Sequence, residues 1–435
     1  MKPEMNLNYQ AALDYLQGAE IFGIKLGLER IRALLAALGH PERNFASVHI
    51  TGTNGKGSVS AMTESILRRA GLKTGLYISP HLSDWRERIQ INGAPISPAD
   101  FTAALAAVRR AAENLIAVGQ EPPTQFEILT AAAFWVFSEM NVDYAVVEVG
   151  LGGLYDSTNV ITPKLSVITN VTLEHADKCG GTLAGVARHK AGIIKPGVPV
   201  VTAAEGMPLD IILATAQEQN SPCYVYGRDF TSTVQKFDSA GQEISFDATA
   251  FDLPPAVYEV PLLGKHQARN AAVALAAVRA LGDGRLNPAA IKDGLRQTKW
   301  PGRFEIVRRS KTTLIFDGAH NPAGVAALRQ TLDEYFPRAE RLFVVGILHD
   351  KNIDAMLPLL FRSADEVIVT RPDSPRAAEP AELAAQVQKF CPAQAVDNPS
   401  AALQTALKRA ADEQKLVIVC GSLYLIGAVR AEVIR

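Results

Sequence analysis

Short apolar runs alternate with longer segments of helical periodicity along most of the chain. The run Phe45–Thr51 predicts a buried strand, and Lys56–Ala70 after it predicts a helix. Further strands are predicted at Asp143–Val149, Leu165–Thr169 and Val198–Thr202. Runs that are apolar on both faces are typical of a parallel sheet covered by crossover helices. The pattern therefore predicts an α/β fold.

A different pattern occupies residues 228 to 262, where shorter alternating segments contain Asp, Gly and Pro. Such segments favour an antiparallel meander, and a helix is predicted after it at His266–Leu281. Strand–helix alternation then resumes, which indicates a second and smaller α/β unit. Its strands are predicted at Thr312–Phe316, Leu342–Ile347, Glu366–Thr370 and Leu416–Cys420.

The segment between these two units contains Pro301 and Gly302 and lacks either periodicity. Segments of this composition commonly connect domains. We therefore expect an amino-terminal domain at residues 1–298 and a carboxy-terminal domain at 299–435. A chain of 435 residues is too long for one ordinary core, which agrees with two domains.

Composition is that of an ordinary globular protein. Hydrophobic residues make up 48% and charged residues 20%, with a formal net charge of −1. This balance gives no indication of a nucleic-acid or membrane partner, and we expect a monomer that binds small molecules. The four cysteines form no CxxC pair, and the first ten residues lack a signal-peptide pattern. We therefore expect a cytoplasmic protein.

A glycine-rich segment between the first strand and the first long helix predicts a phosphate site. Its residues are Thr51, Gly52, Thr53, Asn54, Gly55, Lys56, Gly57 and Ser58. The glycines let backbone N–H groups turn toward a phosphate, and the helix start adds partial positive charge. Lys56 would reach the outer phosphates, and Ser58 could hold Mg²⁺. Only two residues separate Gly52 from Gly55, where the standard motif has four before Gly-Lys, so a plain glycine-rich turn is the alternative.

Glu148 interrupts an apolar strand near its carboxyl end, where α/β sheets bind ligands. Buried carboxylates are rare unless they are paired or bind a metal. The next strand ends at Thr169-Asn170, and His175 follows shortly afterwards. If the two strands are neighbours, Glu148 and His175 could share a metal ion. A half-exposed edge glutamate and an ordinary loop histidine are the alternatives.

The second unit carries polar residues at the end of its first strand. Asp317 could bind a ribose hydroxyl or a water of a nucleotide, and His320 either packs in the loop or faces a cleft. Asn321 with Pro322 is typical of a helix start. Arg303 follows Pro-Gly, which suits a hinge that delivers a guanidinium to phosphates, or else a plain linker.

Taken together, these motifs resemble those of the folylpolyglutamate synthase and dihydrofolate synthase family, a branch of the Mur ligase superfamily. The glycine-rich loop is similar to the superfamily's ATP loop, and its ending Gly57-Ser58 is similar to that branch. Other similar segments are Leu26–Arg30, Ser79–Leu82, Glu148–Gly153, Ile168–Val171, Lys190–Ile193 and Gly264–Asn270. The resemblance implies a P-loop-containing, Mur-ligase-like amino-terminal domain with a parallel sheet, and a smaller Rossmann-like carboxy-terminal domain.

The resemblance also implies an activity, namely an ATP-dependent ligase that adds L-glutamate to a folate through an acyl phosphate. ATP and Mg²⁺ are the implied cofactors. Whether the same site also joins glutamate to dihydropteroate, which is dihydrofolate synthesis, stays open. A related ligase for a cell-wall or cofactor precursor and a nucleotide-binding regulator without catalysis are the alternatives.

The family's functional residues carry over to matching positions of this chain. Magnesium ligands are implied at Ser79, Glu148 and His175, in addition to Ser58 of the loop. Lys190 matches the family's carbamylated lysine, although the sequence alone would favour an ordinary solvated lysine. Catalytic roles are thereby implied for Lys56, Lys190 and Arg303.

Nucleotide and substrate contacts are implied in the same way. Asn270 would meet the adenine, and a polar residue in the first helical turns is the alternative. The segment Pro122–Glu127 would face the pterin, and its Thr124 and Glu127 also form a Thr-x-x-Glu capping box. We interpret helix capping as the first role of these two residues. The substrate-side residues are Thr124, Phe126, Glu127, Tyr155 and Asp156. The last two follow Leu154, where the family usually has Arg.

Overall fold

The computed structural model describes residues 8–434 apart from positions 24, 175, 252, 310 and 311. In this part of the chain the α-helices are α1 (Tyr9–Gly18), α2 (Glu29–Ala37), α3 (Lys56–Arg69), α4 (Pro98–Ala117), α5 (Gln125–Glu139), α6 (Leu183–Ala191), α7 (Gly206–Glu218), α8 (Lys265–Leu281), α9 (Pro288–Arg296), α10 (Pro322–Tyr335), α11 (Ile353–Leu360), α12 (Pro380–Val387), α13 (Pro399–Glu413) and α14 (Leu423–Arg430). None of them is long and apolar enough to cross a lipid bilayer.

The strands of the same described residues fall into three sheets. They are β1 (Ala46–Thr51), β2 (Thr74–Tyr77), β3 (Ile89–Ile91), β4 (Ala94–Pro95), β5 (Tyr144–Glu148), β6 (Leu165–Ile168), β7 (Val200–Thr202), β8 (Cys223–Val225), β9 (Thr231–Asp238), β10 (Gly241–Ala248), β11 (Leu253–Val260), β12 (Glu305–Arg309), β13 (Thr312–Asp317), β14 (Arg341–Val345), β15 (Glu366–Val369), β16 (Ala393–Ala395) and β17 (Leu416–Cys420). Every strand that the apolar pattern predicted is present within a few residues.

The first sheet has eight strands in the order β4-β3-β2-β5-β1-β6-β7-β8 and is parallel from β2 to β8. Both of its faces are covered, one by a core that includes α3, α8 and α9 and the other by a core that includes α1, α4 and α5. This confirms the parallel sheet with crossover helices. The carboxyl ends of β1 and β5 lie side by side, because Ile50 pairs with Glu148.

The strand that ends at Glu148 and the strand before His175 are not direct neighbours, so the condition set for a shared metal ion is not met by strand pairing. Strand β1 lies between β5, which ends at Glu148, and β6, which leads to Thr169. The phosphate loop therefore occupies the place between the two strand ends. His175 itself lies outside the described residues.

The meander and the second α/β unit are confirmed. Strands β9, β10 and β11 form a three-stranded antiparallel sheet whose inner side chains, such as Phe246, share a core with α8. The third sheet has the order β12-β13-β17-β14-β15-β16, and only β12 runs antiparallel to its neighbour. Apolar cores on both of its faces are those of a doubly wound sheet.

Candidate active site

A cleft of about 410 Å³ lies between the carboxyl ends of the two large sheets. Both units contribute to its walls, which is where doubly wound sheets place ligands. The predicted residues that line it are Gly52, Thr53, Asn54, Gly55, Lys56, Gly57, Ser58, Ser79, Glu148, Lys190, Asn270, Arg303, Asp317 and His320. The predicted substrate-side residues do not line this cleft.

The phosphate loop is held in shape by its neighbours on the sheet. Thr53 donates its N–H to the Asn170 carbonyl at 3.0 Å, and Asn54 donates its N–H to the Asn170 side chain at 2.9 Å. Gly55 has a φ of +83°, and a Cβ there would lie 2.5 Å from Oδ1 of Asn270. Glycine is therefore required at this position both for conformation and for space.

Lys56 begins α3 and curls back over the loop. Its Nζ donates to the carbonyls of Gly52 at 3.1 Å and Thr53 at 3.3 Å. Within the described part of the chain it forms no ion pair. An ammonium group without a carboxylate partner, set among backbone N–H groups at a helix start, is suited to a polyphosphate.

Glu148 is only 5% exposed and ends β5 beside the loop. One carboxylate oxygen accepts the Ser79 N–H at 3.3 Å, and no described residue donates to the other. Burial raises the pKa of Glu148, while the charge of Lys56 and the Ser79 hydrogen bond oppose that rise. The alternative of a half-exposed edge glutamate is excluded.

The residues around Glu148 fit a magnesium ion. Ser58 and Ser79 line the same cleft, and hydroxyl and carboxylate oxygens are ligands that Mg²⁺ prefers. In the described ranges no group of three or more His, Cys, Asp or Glu is placed to hold a metal. A site with one carboxylate and two hydroxyls would leave room for water and phosphate ligands.

Lys190 lies near the end of α6 and is 5% exposed, so it is not an ordinary solvated lysine. Burial lowers the pKa of Lys190 to about 7, and the positive charge of Lys56 acts in the same direction. A large share of the amine is therefore neutral near pH 7. Only a neutral amine can form a carbamate, so the environment of Lys190 permits that modification.

The second unit brings Arg303, Asp317 and His320 to the opposite wall. Asp317 accepts N–H groups from Phe304 and Ala319, both at 2.9 Å. Burial raises the pKa of Asp317, whereas the charge of Arg303 lowers it. Arg303 forms no ion pair within the described residues. It is the second cation of the cleft, after Lys56, that is available to an anionic ligand.

His320 is a neutral polar group of the cleft at ordinary pH. Its Nδ1 lies 2.7 Å from the Gly318 carbonyl and therefore carries the proton that it donates. Burial, helped by the charge of Lys351, lowers the pKa of His320 to about 4. Next to it, Asn321 caps α10 and donates to the Asn54 side chain at 3.0 Å, which joins the second unit to the phosphate loop.

The Thr-x-x-Glu segment forms the predicted capping box of α5. Glu127 accepts the N–H of Thr124 at 2.7 Å and its hydroxyl at 2.9 Å, and it also accepts Nε of Arg30 at 3.2 Å. The Phe126 ring instead packs against the cleft residue Gly150, where a Cβ would lie 2.5 Å from the ring. Thr124 and Glu127 thus hold the turn on which Phe126 is mounted.

Tyr155 and Asp156 likewise divide into an aromatic ring that is open to a ligand and a carboxylate that caps a helix. Asp156 is buried and accepts the N–H of Leu151 at 2.9 Å and the N–H of Thr158 at 3.0 Å, which caps the short helix after it. Tyr155 is 45% exposed, and its ring meets that of His189 edge-on at 5.6 Å. Tyr155 is the member of this pair with a surface free for a ligand.

Sequence reasoning missed Asn170 and His266 as parts of the site. Asn170 supplies both acceptors that fix the loop, and His266 lines the cleft with a pKa lowered to about 4 by burial and by Arg303. Both residues belong to segments that the sequence singled out. A polar residue directly after a buried strand was the available signal for Asn170.

Comparisons with known proteins agree with this geometry. The Mur ligase middle domain matches residues 50–278, and the Mur ligase glutamate ligase domain matches residues 302–423. The chain is 34% identical over 436 residues to the dihydrofolate synthase/folylpolyglutamate synthase of Bacillus subtilis, covering 97% of this chain and 98% of that protein. It is 37% identical over 435 residues to the folylpolyglutamate synthase of Lacticaseibacillus casei, covering 98% of each.

Among solved structures, the folylpolyglutamate synthase of Mycobacterium tuberculosis complexed with ADP and AMPPCP superposes with a TM-score of 0.90. It is 33% identical, and the match covers 98% of this chain and 99% of that one. Similarity of this extent includes both α/β units and the cleft between them. The chain therefore belongs to the folylpolyglutamate synthase and dihydrofolate synthase family of Mur ligases.

Proposed function

We propose that the protein is an ATP-dependent ligase that adds L-glutamate to a folate. One observation carries the proposal: Lys56 and Arg303, two cations without ion pairs among the described residues, face one cleft from opposite units, and the buried Glu148 lies there at the end of β5. Such a cleft suits a triphosphate whose terminal group is transferred. The folylpolyglutamate synthases of the family supply the substrate class.

The chemistry begins with a carboxylate, which is a poor electrophile. Transfer of the γ-phosphoryl group of ATP to the folate carboxylate forms an acyl phosphate and ADP. The amine of glutamate then attacks the acyl carbon, and the tetrahedral intermediate expels phosphate and leaves an amide. No protein nucleophile is required, and closure of the two units around the cleft would keep water from the acyl phosphate.

Each predicted residue takes a role that its surroundings support. Lys56 and Arg303 would offset the charge that develops on the transferred phosphoryl group. Bound Mg²⁺, held by Ser58, Ser79 and Glu148 with His175 as a further proposed ligand, would neutralise phosphate oxygens. The carbamate of Lys190 would add an anion beside that metal. We propose nucleotide contacts for Asn270, Asp317 and His320.

The substrate side lies around α5 and the loop before the short helix at 157–160. We propose that Phe126 and Tyr155 contact the pterin with their rings. Thr124, Glu127 and Asp156 would act by holding those two rings in place, since their polar groups are engaged in caps.

The division of the chain and its state in the cell are part of the proposal. Helix α9 ends at Arg296 and β12 begins at Glu305, which supports a boundary between 298 and 299. Balanced charge and scattered cysteines support a cytoplasmic monomer. Light scattering of the purified protein would test the monomer.

The decisive test is product identification. The protein is incubated with ATP, Mg²⁺, glutamate and a reduced folate, and the products are identified by mass. A folate heavier by one glutamyl unit, together with ADP, is the expected result. ATP binding without ADP formation with any acceptor would instead favour a regulator.

Lys56→Ala tests the proposed role of the phosphate loop in the same assay. Because it removes the cation of the phosphate loop, we expect glutamate-dependent phosphate release to fall at least about 10³-fold. The fold should stay intact, as circular dichroism would show, because Lys56 contacts only the carbonyls of its own loop. Turnover at the wild-type rate would reject its role.

Dihydrofolate synthesis is the second candidate activity. The Bacillus subtilis relative is named for both activities, and Tyr155, whose ring is exposed, is one of the residues that the family resemblance assigns to the substrate side. Dihydropteroate replaces the reduced folate in a parallel incubation. Formation of dihydrofolate in that incubation decides between a bifunctional enzyme and a folate-specific one.

A further inference from the structure

Arg88 is a cation close to the cleft residues Ser79 and Pro80, and the proposed roles leave it unused. It ends the short helix Trp85–Arg88 and leads into β3. Its carbonyl accepts the N–H of Ile78 at 3.1 Å, which places its backbone directly beside Ser79. Arg88 is therefore fixed next to the loop that also touches Glu148.

Its guanidinium is held in one orientation by two aromatic rings. Nε donates to Nδ1 of His81 at 2.8 Å, and the guanidinium carbon lies 4.6 Å from the centre of the Trp85 ring. Because Nδ1 of His81 accepts this hydrogen bond, the proton of the neutral imidazole is on Nε2. The two Nη groups and the His81 Nε2–H have no acceptor in the described part of the chain.

The carboxylates of Glu87 and Asp84, the two acidic residues closest to Arg88 in sequence, are already committed elsewhere. Glu87 accepts the N–H groups of Leu82, Ser83 and Asp84 at 2.7, 3.1 and 3.0 Å. Asp84 in turn pairs with Arg86 at 2.6 Å. Within the described residues Arg88 thus forms no ion pair.

Arg88 is half-buried, and even partial burial makes an unpaired guanidinium costly. Burial lowers the pKa of Arg88, and the negative charges of Glu148 and Glu87 only partly oppose this. Buried charges are normally paired, and a cation that lacks a partner indicates an anionic ligand.

The position of Arg88 faces both units. Tyr424, which follows Leu423 in the cleft wall, lies near the guanidinium of Arg88. The neighbouring loop is anchored to the second unit, since the Ser83 hydroxyl donates to the Gly427 carbonyl at 3.2 Å. A ligand on Arg88 would therefore lie where the two units meet.

We propose that Arg88, together with the Nε2–H of His81, binds a carboxylate of a glutamyl unit. The proposal rests on the proposed function and deepens it. The two uncommitted Nη groups of the planar guanidinium match the planar carboxylate in a bidentate manner. Lys56 and Arg303 serve the triphosphate in that function, so a non-reacting carboxylate of the substrate needs another cation. The glutamyl unit is either free glutamate or the terminal residue of the folate.

Arg88→Gln tests the proposal, with Arg86→Gln as the matched control from the same short helix. Loss of a charge-assisted pair should raise the KM for the glutamyl substrate about 10- to 100-fold. The KM for ATP should stay unchanged in both variants, and Arg86→Gln should keep every constant at the wild-type value. A rise in the KM for glutamate assigns free glutamate, and a rise in the KM for the folate assigns its tail.

A substrate without the carboxylate gives a second, independent measurement. If free glutamate is the ligand, its α-amide or its γ-amide should bind wild-type enzyme more weakly. The same amide should show no further loss in Arg88→Gln, because the partner is already absent. For the tail, a folate amidated at the corresponding carboxylate takes the place of the amino-acid amides.

The outcomes separate this inference from the function on which it rests. Unchanged KM values in Arg88→Gln, or an equal rise in Arg86→Gln, overturn the inference alone. A wild-type protein that forms no ADP with glutamate overturns the proposed function and the inference with it. If Arg88→Gln does not fold, Arg88→Lys replaces it, and wild-type constants in that variant overturn the inference, because lysine cannot reproduce the fork.

Discussion

Two buried glutamates of the amino-terminal unit have different roles, one structural and the other in ligand binding. Glu127 is 1% exposed, and its carboxylate receives two donors from Thr124 and one from Arg30. Glu148 is 5% exposed and receives a single backbone N–H at 3.3 Å. A buried carboxylate that receives several hydrogen bonds from the protein stabilises the fold, whereas one that receives few is suited to bind a ligand.

Between these two glutamates, the larger effect on turnover is expected at Glu148. Glu148→Gln should lower turnover by about 10²- to 10³-fold, because the proposed magnesium ligand loses its charge. The free energy of unfolding should not decrease at pH 7. Burial raises the pKa of Glu148, so its charged form destabilises the folded protein above the pKa of the unfolded chain, and the amide removes that cost.

Steady-state assays with thermal unfolding of the same preparation would check both halves. Wild-type turnover in Glu148→Gln would remove the distinction between the two glutamates. A large loss of stability would mean that Glu148 supports the fold after all.

The next effect is expected at Glu127, where a substitution should lower stability and leave nucleotide binding unchanged. Glu127→Ala should lower the free energy of unfolding by about 2 to 4 kcal/mol, because it removes the capping box and leaves Arg30 without its buried partner. Affinity for ATP should be unchanged, since α5 begins away from the cleft. Urea unfolding and nucleotide titration are the measurements.

Glu127→Gln is the matched control for that change. Glutamine can complete a capping box, so the loss should be smaller than in the alanine variant. Equal losses in both variants would mean that the ion pair with Arg30, and not the cap, stabilises this turn.

The smallest effect concerns pH and Lys190. Burial lowers the pKa of Lys190 to about 7, so the neutral amine becomes the main form as pH rises through that value. Wild-type turnover should therefore increase by about 10-fold between pH 6 and pH 8, and added bicarbonate should raise it at the lower pH. A pH–rate profile of Lys190→Gln should lack this increase. A profile with the same inflection in that variant would assign the titration to another group.

The sequence predicted the elements better than their arrangement. Strand β17 was predicted with its observed bounds, since a run such as Leu416–Cys420 is apolar throughout. The separation of β5 from β6 by β1 was not predicted, because the crossovers and not the strands determine sheet order. The capping role of the Thr124 turn was also visible, because a cap is local.

The site was predicted in part for the same reason. Lys56 and Glu148 follow local rules, one in a glycine-rich loop and the other at the end of a strand. Arg88 was not predicted, because nothing in the sequence Glu-Arg-Ile shows that the side chain is half-buried without a carboxylate partner. That property arises only when His81, Trp85 and Glu87 have taken their places.

The linker between the units packs a tryptophan against the phosphate loop. A Cβ on Gly57 would lie 2.7 Å from the Trp300 ring, and its indole N–H is buried without an acceptor in the described part of the chain. A second indole, Trp85, lies beneath Arg88, and the third, Trp135, lies in α5. The enzyme thus carries one intrinsic fluorophore against the phosphate loop and another against Arg88. Emission from Trp300 would report the binding of nucleotide, and emission from Trp85 that of the glutamyl unit, without any added label.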